Sequence, residues 1–191
     1  MSDAEIICGL RAGNSCAWAA LYDGYSVRIW RYIACLVGPQ HTVVADLVQE
    51  TVLAAARSAA RFDESKGTVW QWLSGIAHNH VSLHWRSEQQ ISKLRRIVEH
   101  LPRGESLLSP NPPDQSPSAR LEQDELANLV RATLARLPSD YSELLAAKYL
   151  EDLSLAEIQS RTSATSDAVR SKMVRARQLF RDVFERLTQT P

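Results

Sequence analysis

The stretch from Arg161 to Arg181 holds six bases, Arg161, Arg170, Lys172, Arg175, Arg177 and Arg181, against the single acid Asp167, a net charge of +5. Val169, Met173, Ala176 and Phe180 recur there at steps of three and four residues. On a helix this spacing makes an inward apolar stripe and turns the bases outward or sideways, where they suit phosphates. Just upstream, Ser154 and Glu157 have the Ser-x-x-Glu spacing of a capping box, in which each side chain satisfies the other's backbone amide and so starts a helix. A short capped helix, a tight turn and a basic helix form a helix-turn-helix candidate. The first turn of the second helix enters the major groove in such a unit, so Thr165, Ser166, Asp167, Arg170 and Ser171 are expected at base edges, and Lys172, Arg175 and Arg177 at phosphates. The helix amino terminus also favours a phosphate oxygen.

His78, Asn79, His80 and His84 raise a different chemistry, a metal-dependent nuclease site, because imidazoles ligate transition metals. Helix geometry opposes it. His78 and His80 are two residues apart and point to different sides; His80 and His84 share a face, but no acid stands at a suitable third position. No Gly-rich phosphate loop, nucleophile elbow or catalytic carboxylate pair occurs. Cys8, Cys16 and Cys35 are odd in number, scattered and without Cys-x-x-Cys spacing, which suggests neither a disulfide framework nor a zinc site. The expectation is a binding protein, not an enzyme, with no cofactor and no metal. A plain helix-turn-helix regulator with a sensing or dimerising amino-terminal domain is the other reading; such a protein binds duplex DNA tightly alone.

The elements that must position these residues are helical. Between Leu101 and Ala119 lie Pro102, Pro110, Pro112, Pro113 and Pro117 with several serines and Gly104. Proline removes a donor and pushes its predecessor out of the helical region, so this is a linker. Elsewhere only Pro39, Pro138 and Pro191 occur, and no alternating pattern persists, so two small all-α domains are expected, 1–100 and 120–191, joined by a Pro/Ser-rich linker over 101–119. Spacing predicts helices over 3–11, 15–37, 42–61, 68–98, 119–136, 139–150, 154–161 and 166–187, with Asn14 and Thr68 as caps and a break at Gly38-Pro39. Trp18, Trp30, Trp70, Trp72 and Trp85 supply the aromatic area of the first domain. Leu73, Ile76 and Leu83 suit its core, as does Trp72, while Gln71, Ser74, His78, Ser82 and Arg86 follow a second line.

With 191 residues, 45% hydrophobic and 23% charged, the composition is that of an ordinary soluble globular protein. No apolar run approaches a membrane span, and the acidic start is unlike a signal peptide, so a cytoplasmic protein without membrane insertion is expected. The formal charge is zero, but it is unevenly spread: Lys66 to Arg96 carries +4 and Leu101 to Glu125 carries −3. Along the third helix, Val44, Leu47, Val48, Thr51 and Ala55 form an inward stripe that turns Asp46, Gln49 and Glu50 outward as acceptors for a partner's basic groups.

At these residues the chain resembles a family. Ala45-Asp46-Leu47-Val48-Gln49-Glu50-Thr51-Val52-Leu53 is similar to the polymerase-binding helix of region two of bacterial RNA polymerase sigma factors of the extracytoplasmic-function (ECF) group. Val69-Trp70-Gln71-Trp72-Leu73-Ser74-Gly75-Ile76-Ala77-His78-Asn79 resembles the helix that reads and opens the minus-ten element, and Ala168-Val169-Arg170-Ser171-Lys172-Met173-Val174-Arg175-Ala176-Arg177 resembles region four. The resemblance implies a promoter-recognition subunit. Asp46, Gln49 and Glu50 would dock on core polymerase; Lys66, Trp70, Gln71, Ser74, His78, Asn79 and Arg86 would meet the melted minus-ten strand; and the residues from Thr165 to Arg177 named above would read minus-thirty-five duplex. It also implies an anti-sigma partner and an acidic linker running through the polymerase interior. The chain departs from the pattern at Leu83, His78 and Ser87, and at Gln159 and Ser163 in the helix-turn-helix, where Ser163 replaces a turn glycine.

Overall fold

The structure, a computed structural model, describes residues 1–99, 117–162 and 164–189, and the backbone alone over 92–99 and 117–122. The described residues form eight α-helices: α1 (Asp3–Arg11), α2 (Ser15–Val37), α3 (His41–Ser58), α4 (Val69–Glu99), α5 (Pro117–Leu134), α6 (Ser139–Tyr149), α7 (Leu155–Thr162) and α8 (Ser166–Thr188). Two single 3-10 turns, Ala59–Arg61 and Glu64–Lys66, lie between α3 and α4. The expected all-α fold is therefore observed, and the helix ends fall within a few residues of those expected.

Local chemistry accounts for the ends. Ser2 and Glu5 close a capping box on α1, the Asn14 carboxamide accepts the Cys16 amide, and Gly38 takes φ +92° to end α2. Thr68 Oγ1 accepts the Gln71 amide at 3.2 Å while Gln71 Oε1 accepts the Thr68 amide at 2.9 Å, a second reciprocal cap that opens α4. The tail of the expected linker is corrected: Pro117 begins α5, because a proline at the first helical position removes a donor that would have no partner there anyway. The rest of that linker, 100–116, and Ser163 lie outside the described residues.

In the first domain α1, α2, α3 and α4 pack in sequence, with α4 returning to α2. Ile7, Leu21, Ile29, Ile33, Leu36, Val44, Leu73 and Val81 are completely buried. Gly9 lets α1 lie tight on α2: a Cβ there would stand 2.5 Å from that of Ala17. In the second domain α8 packs against α5, α6 and α7 through Val169, Met173 and Ala176. The core is continuous between domains, since α5 and α6 also pack on α2 and α6 on α4.

Two core expectations are corrected. Leu83 is 57% exposed, because it is two residues past the buried Val81 and so points to the opposite side of α4. Trp72 is only half-buried, against Phe62, whereas Trp70 is buried, because α6 of the second domain covers it.

Candidate nucleic-acid interface

Three surfaces follow from this packing. On α3, Val44, Leu47, Val48, Thr51 and Ala55 are all buried, which leaves Asp46, Gln49 and Glu50 exposed on the outer side beside Leu53, itself 54% exposed. Glu50 is not wholly unengaged: its Oε2 lies 3.1 Å from His80 Nδ1 on α4. The face is acidic, carries one exposed apolar side chain and suits a basic partner.

The second surface is α8. Its first turn is capped by Thr165, whose Oγ1 accepts the Ala168 amide at 3.3 Å, and Ser166, Asp167, Arg170, Ser171, Arg175 and Arg177 are exposed. The Ser154–Glu157 box is present: Glu157 Oε2 accepts the Ser154 amide at 2.7 Å and Ser154 Oγ accepts the Glu157 amide at 3.2 Å. These serine bonds hold the Glu157 carboxyl below its ordinary value. Lys172 is diverted from the expected phosphate line, forming a 3.0 Å ion pair with Asp140 of α6. Arg177 leans toward the ring of Tyr149, 5.6 Å from its centroid.

The third surface is the outer line of α4 with the loop before it. Lys66 is exposed, paired with Asp63 at 3.3 Å, and Asp63 also accepts the amide and hydroxyl of Ser65, which hold its carboxyl below the ordinary value. Arg11 of α1 braces the loop by donating to Phe62 O at 2.6 Å. Gln71 is committed to the cap of α4. Asn79 and Arg86 are exposed and line a cleft of about 580 Å³ with Arg136, Pro138 and Ser139. Arg136 also donates to Gln89, and burial and the charge of Arg86 hold its guanidinium below its usual value.

Trp70, Ser74 and His78, which share this line, are buried at 8%, 2% and 4% exposure by the second domain. Trp70 Nε1–H donates to Glu143 of α6, and Ser74 Oγ lies 3.2 Å from the other oxygen of the same carboxylate. His78 Nε2 lies 2.8 Å from Leu137 O and its Nδ1 3.3 Å from the Tyr32 hydroxyl. A carbonyl can only accept, so the imidazole donates from Nε2 and accepts a hydrogen bond from the Tyr32 hydroxyl at Nδ1, a neutral ring with one tautomer. Burial holds its pKa below the usual histidine value. Farther along α4, Ser82 Oγ donates to Ala135 O at 2.6 Å. Sequence reasoning missed the other half of this interface: Arg28, whose guanidinium carbon sits 3.8 Å over the Trp70 ring, together with Tyr32 and Glu143. None of the three belongs to a motif, and only the packing of α2 and α6 onto α4 brings them together.

His78, His80 and His84 do not gather a metal set, and among the described residues no group of three possible ligands converges. No described helix is long and apolar enough to cross a membrane.

Two family models match the chain. Residues 21–91 match the family model for sigma-70 region 2 and residues 127–180 the model for sigma-70 region 4. The ECF RNA polymerase sigma factor BldN of Streptomyces coelicolor is 32% identical over 90% of this chain, which spans 62% of that relative's length. SigM of Bacillus subtilis, another ECF sigma factor, is 24% identical over 87% of this chain and 94% of its own. A solved structure of CnrH in complex with the cytosolic domain of CnrY covers 96% of this chain and 97% of its own at 21% identity and a TM-score of 0.47. With region 2 ending on α4 and region 4 on α5 to α8, the chain belongs to the sigma-70 family, and the relatives it matches are sigma factors of the ECF group.

Proposed function

We propose that this chain directs promoter-specific transcription initiation as a dissociable subunit of RNA polymerase. The observation that carries the reading is the pairing, in one chain of sigma-70 regions 2 and 4, of an uncovered acidic face on α3 with an uncovered basic reading turn on α8. Asp46, Gln49 and Glu50 bind a basic surface of core polymerase. The exposed first turn of α8, with Arg170 and Ser171, reads minus-thirty-five duplex while Arg175 and Arg177 hold phosphates, and this needs no rearrangement of the second domain. Lys66, Trp70, Ser74, Asn79 and Arg86 take the opened minus-ten strand by stacking and charge. The reading places the protein beside the chromosome, in the cytoplasm, and gives it no catalytic step of its own. An anti-sigma factor is the proposed inhibitory partner.

Transcription in vitro with core polymerase and a library of promoters tests this. The chain is expected to confer start-site selection absent from core enzyme alone; no association with core and no selected start would overturn it. Duplex binding as tight without polymerase as with it would favour a plain helix-turn-helix regulator.

A further inference from the structure

The Glu143 carboxylate sits where three groups of the first domain converge. The indole N–H of Trp70 donates to one of its oxygens, and the hydroxyl of Ser74 lies 3.2 Å from the other and 3.1 Å from Gln71 O. Arg28 of α2 stacks on the same indole, 3.8 Å from the ring centroid; burial holds its guanidinium below the usual value, and Glu143 is the charge that most opposes this. An N–H donor, a hydroxyl and an arginine over an aromatic plane are the groups that hold a phosphodiester oxygen, and an aromatic face beside them is what a single-stranded base stacks on. All three come from region 2, and the carboxylate that the indole and the hydroxyl meet is delivered by region 4. Glu143 takes the indole donor and lies within reach of the Ser74 hydroxyl, as a nucleic-acid phosphate would, with the Arg28 charge beside it.

We propose that Arg28, Trp70 and Ser74 form a phosphate-binding site for single-stranded DNA, which Glu143 fills in the free chain, so that α6 and the opened promoter strand compete for one face. The proposal rests on the minus-ten reading of α4 and adds Arg28, an α2 residue, to it. The second domain is thereby a built-in cover, held further by the bonds of His78 to Leu137 O and Ser82 to Ala135 O. A strand that displaces Glu143 releases the cover, which couples strand capture to separation of the domains.

The two partners should act in opposite directions, and this separates a shared site from a merely structural contact. The test uses the full chain and a short fluorescein-labelled single-stranded oligonucleotide of mixed sequence, read by anisotropy, with domain separation read by small-angle scattering. Glu143→Ala is expected to expand the chain and tighten the oligonucleotide by about tenfold, the factor equal to about 1.4 kcal/mol. Glu143→Gln, which keeps the shape of α6, should show a smaller gain in the same direction. Arg28→Ala should expand the chain yet weaken binding, and in the Glu143→Ala background it should erase the gain. If Arg28→Ala and Glu143→Ala both tighten binding, Arg28 only holds the domains together and the phosphate site is refuted. An expanded Glu143→Ala chain with unchanged affinity refutes it too; retained start-site selection by that variant would show that the sigma function stands without the site.

Discussion

Replacement of His78 by leucine tests whether the domain interface contributes to stability through specific hydrogen bonds or through burial alone. Leucine fills a comparable space, so little cavity is expected, and what changes is the polar bookkeeping. Leu137 O loses its donor, and a buried carbonyl left unsatisfied costs about 1–3 kcal/mol. The Tyr32 hydroxyl, 3% exposed as a residue, loses its acceptor but has a neighbour to turn to, because the buried Ser142 Oγ makes no hydrogen bond and lies beside that phenol. His78→Leu is therefore expected to destabilise by about 2 kcal/mol, Ser142→Ala alone by almost nothing, and the double variant by about 1 kcal/mol more than the sum, since the rescue is then gone. Urea unfolding followed by tryptophan fluorescence and far-UV circular dichroism is the assay, coincident curves establishing one cooperative transition. The pH dependence gives a second, independent signature. Burial outweighs the favourable effects of Leu137 O and Asp140 and lowers the His78 pKa, so the unfolded chain takes up the proton before the folded one does. Stability is then complete above about pH 6.5 and falls as the pH drops below it, until the lower folded value is passed. The leucine variant should lose that part of the slope. A His78→Leu chain within about 0.5 kcal/mol of the parent, with the same acid sensitivity, would refute the reasoning.

Gln49→Ala with Glu50→Ala should leave the unfolding curve nearly unchanged, because both side chains are exposed, while core polymerase retained in a pull-down falls at least about tenfold; equal retention would remove α3 as the docking face. Arg170→Ala and Ser171→Ala should alter which minus-thirty-five sequences are selected from a library, whereas Arg175→Ala should weaken all of them alike and lower the salt slope of binding by about one. Gly9→Ala should destabilise by about 1–3 kcal/mol through overpacking against Ala17, partly offset by about 0.5–1 kcal/mol of helix propensity; a melting temperature above the parent's would show that α1 moves away freely.

Much of the architecture was legible from residue types because helices announce themselves locally. Caps such as Ser154–Glu157, the break at Gly38-Pro39 and the five-residue stripe on α3 depend on neighbours within a turn or two, and all are observed where the spacing puts them. The exposed residues of α8 were legible for the same reason. Leu83 was misplaced where the expected stripe ran past Val81 onto the other side of α4. Trp70, Ser74 and His78 could be put on one line of α4, but periodicity says only that a line exists, not what lies against it. Whether that line meets solvent, DNA or another domain depends on residues 46 to 73 positions away: Tyr32 on α2, and Leu137 and Glu143 ahead of and on α6. Long-range pairing of this kind carries no period and no composition, since a glutamate that fills a polar site and one that faces water are the same letter at the same helical spacing. The sequence by itself thus determined the helices, their inner faces and the two modules. Only tertiary packing decided that the modules close on each other and which donors the Glu143 carboxylate occupies.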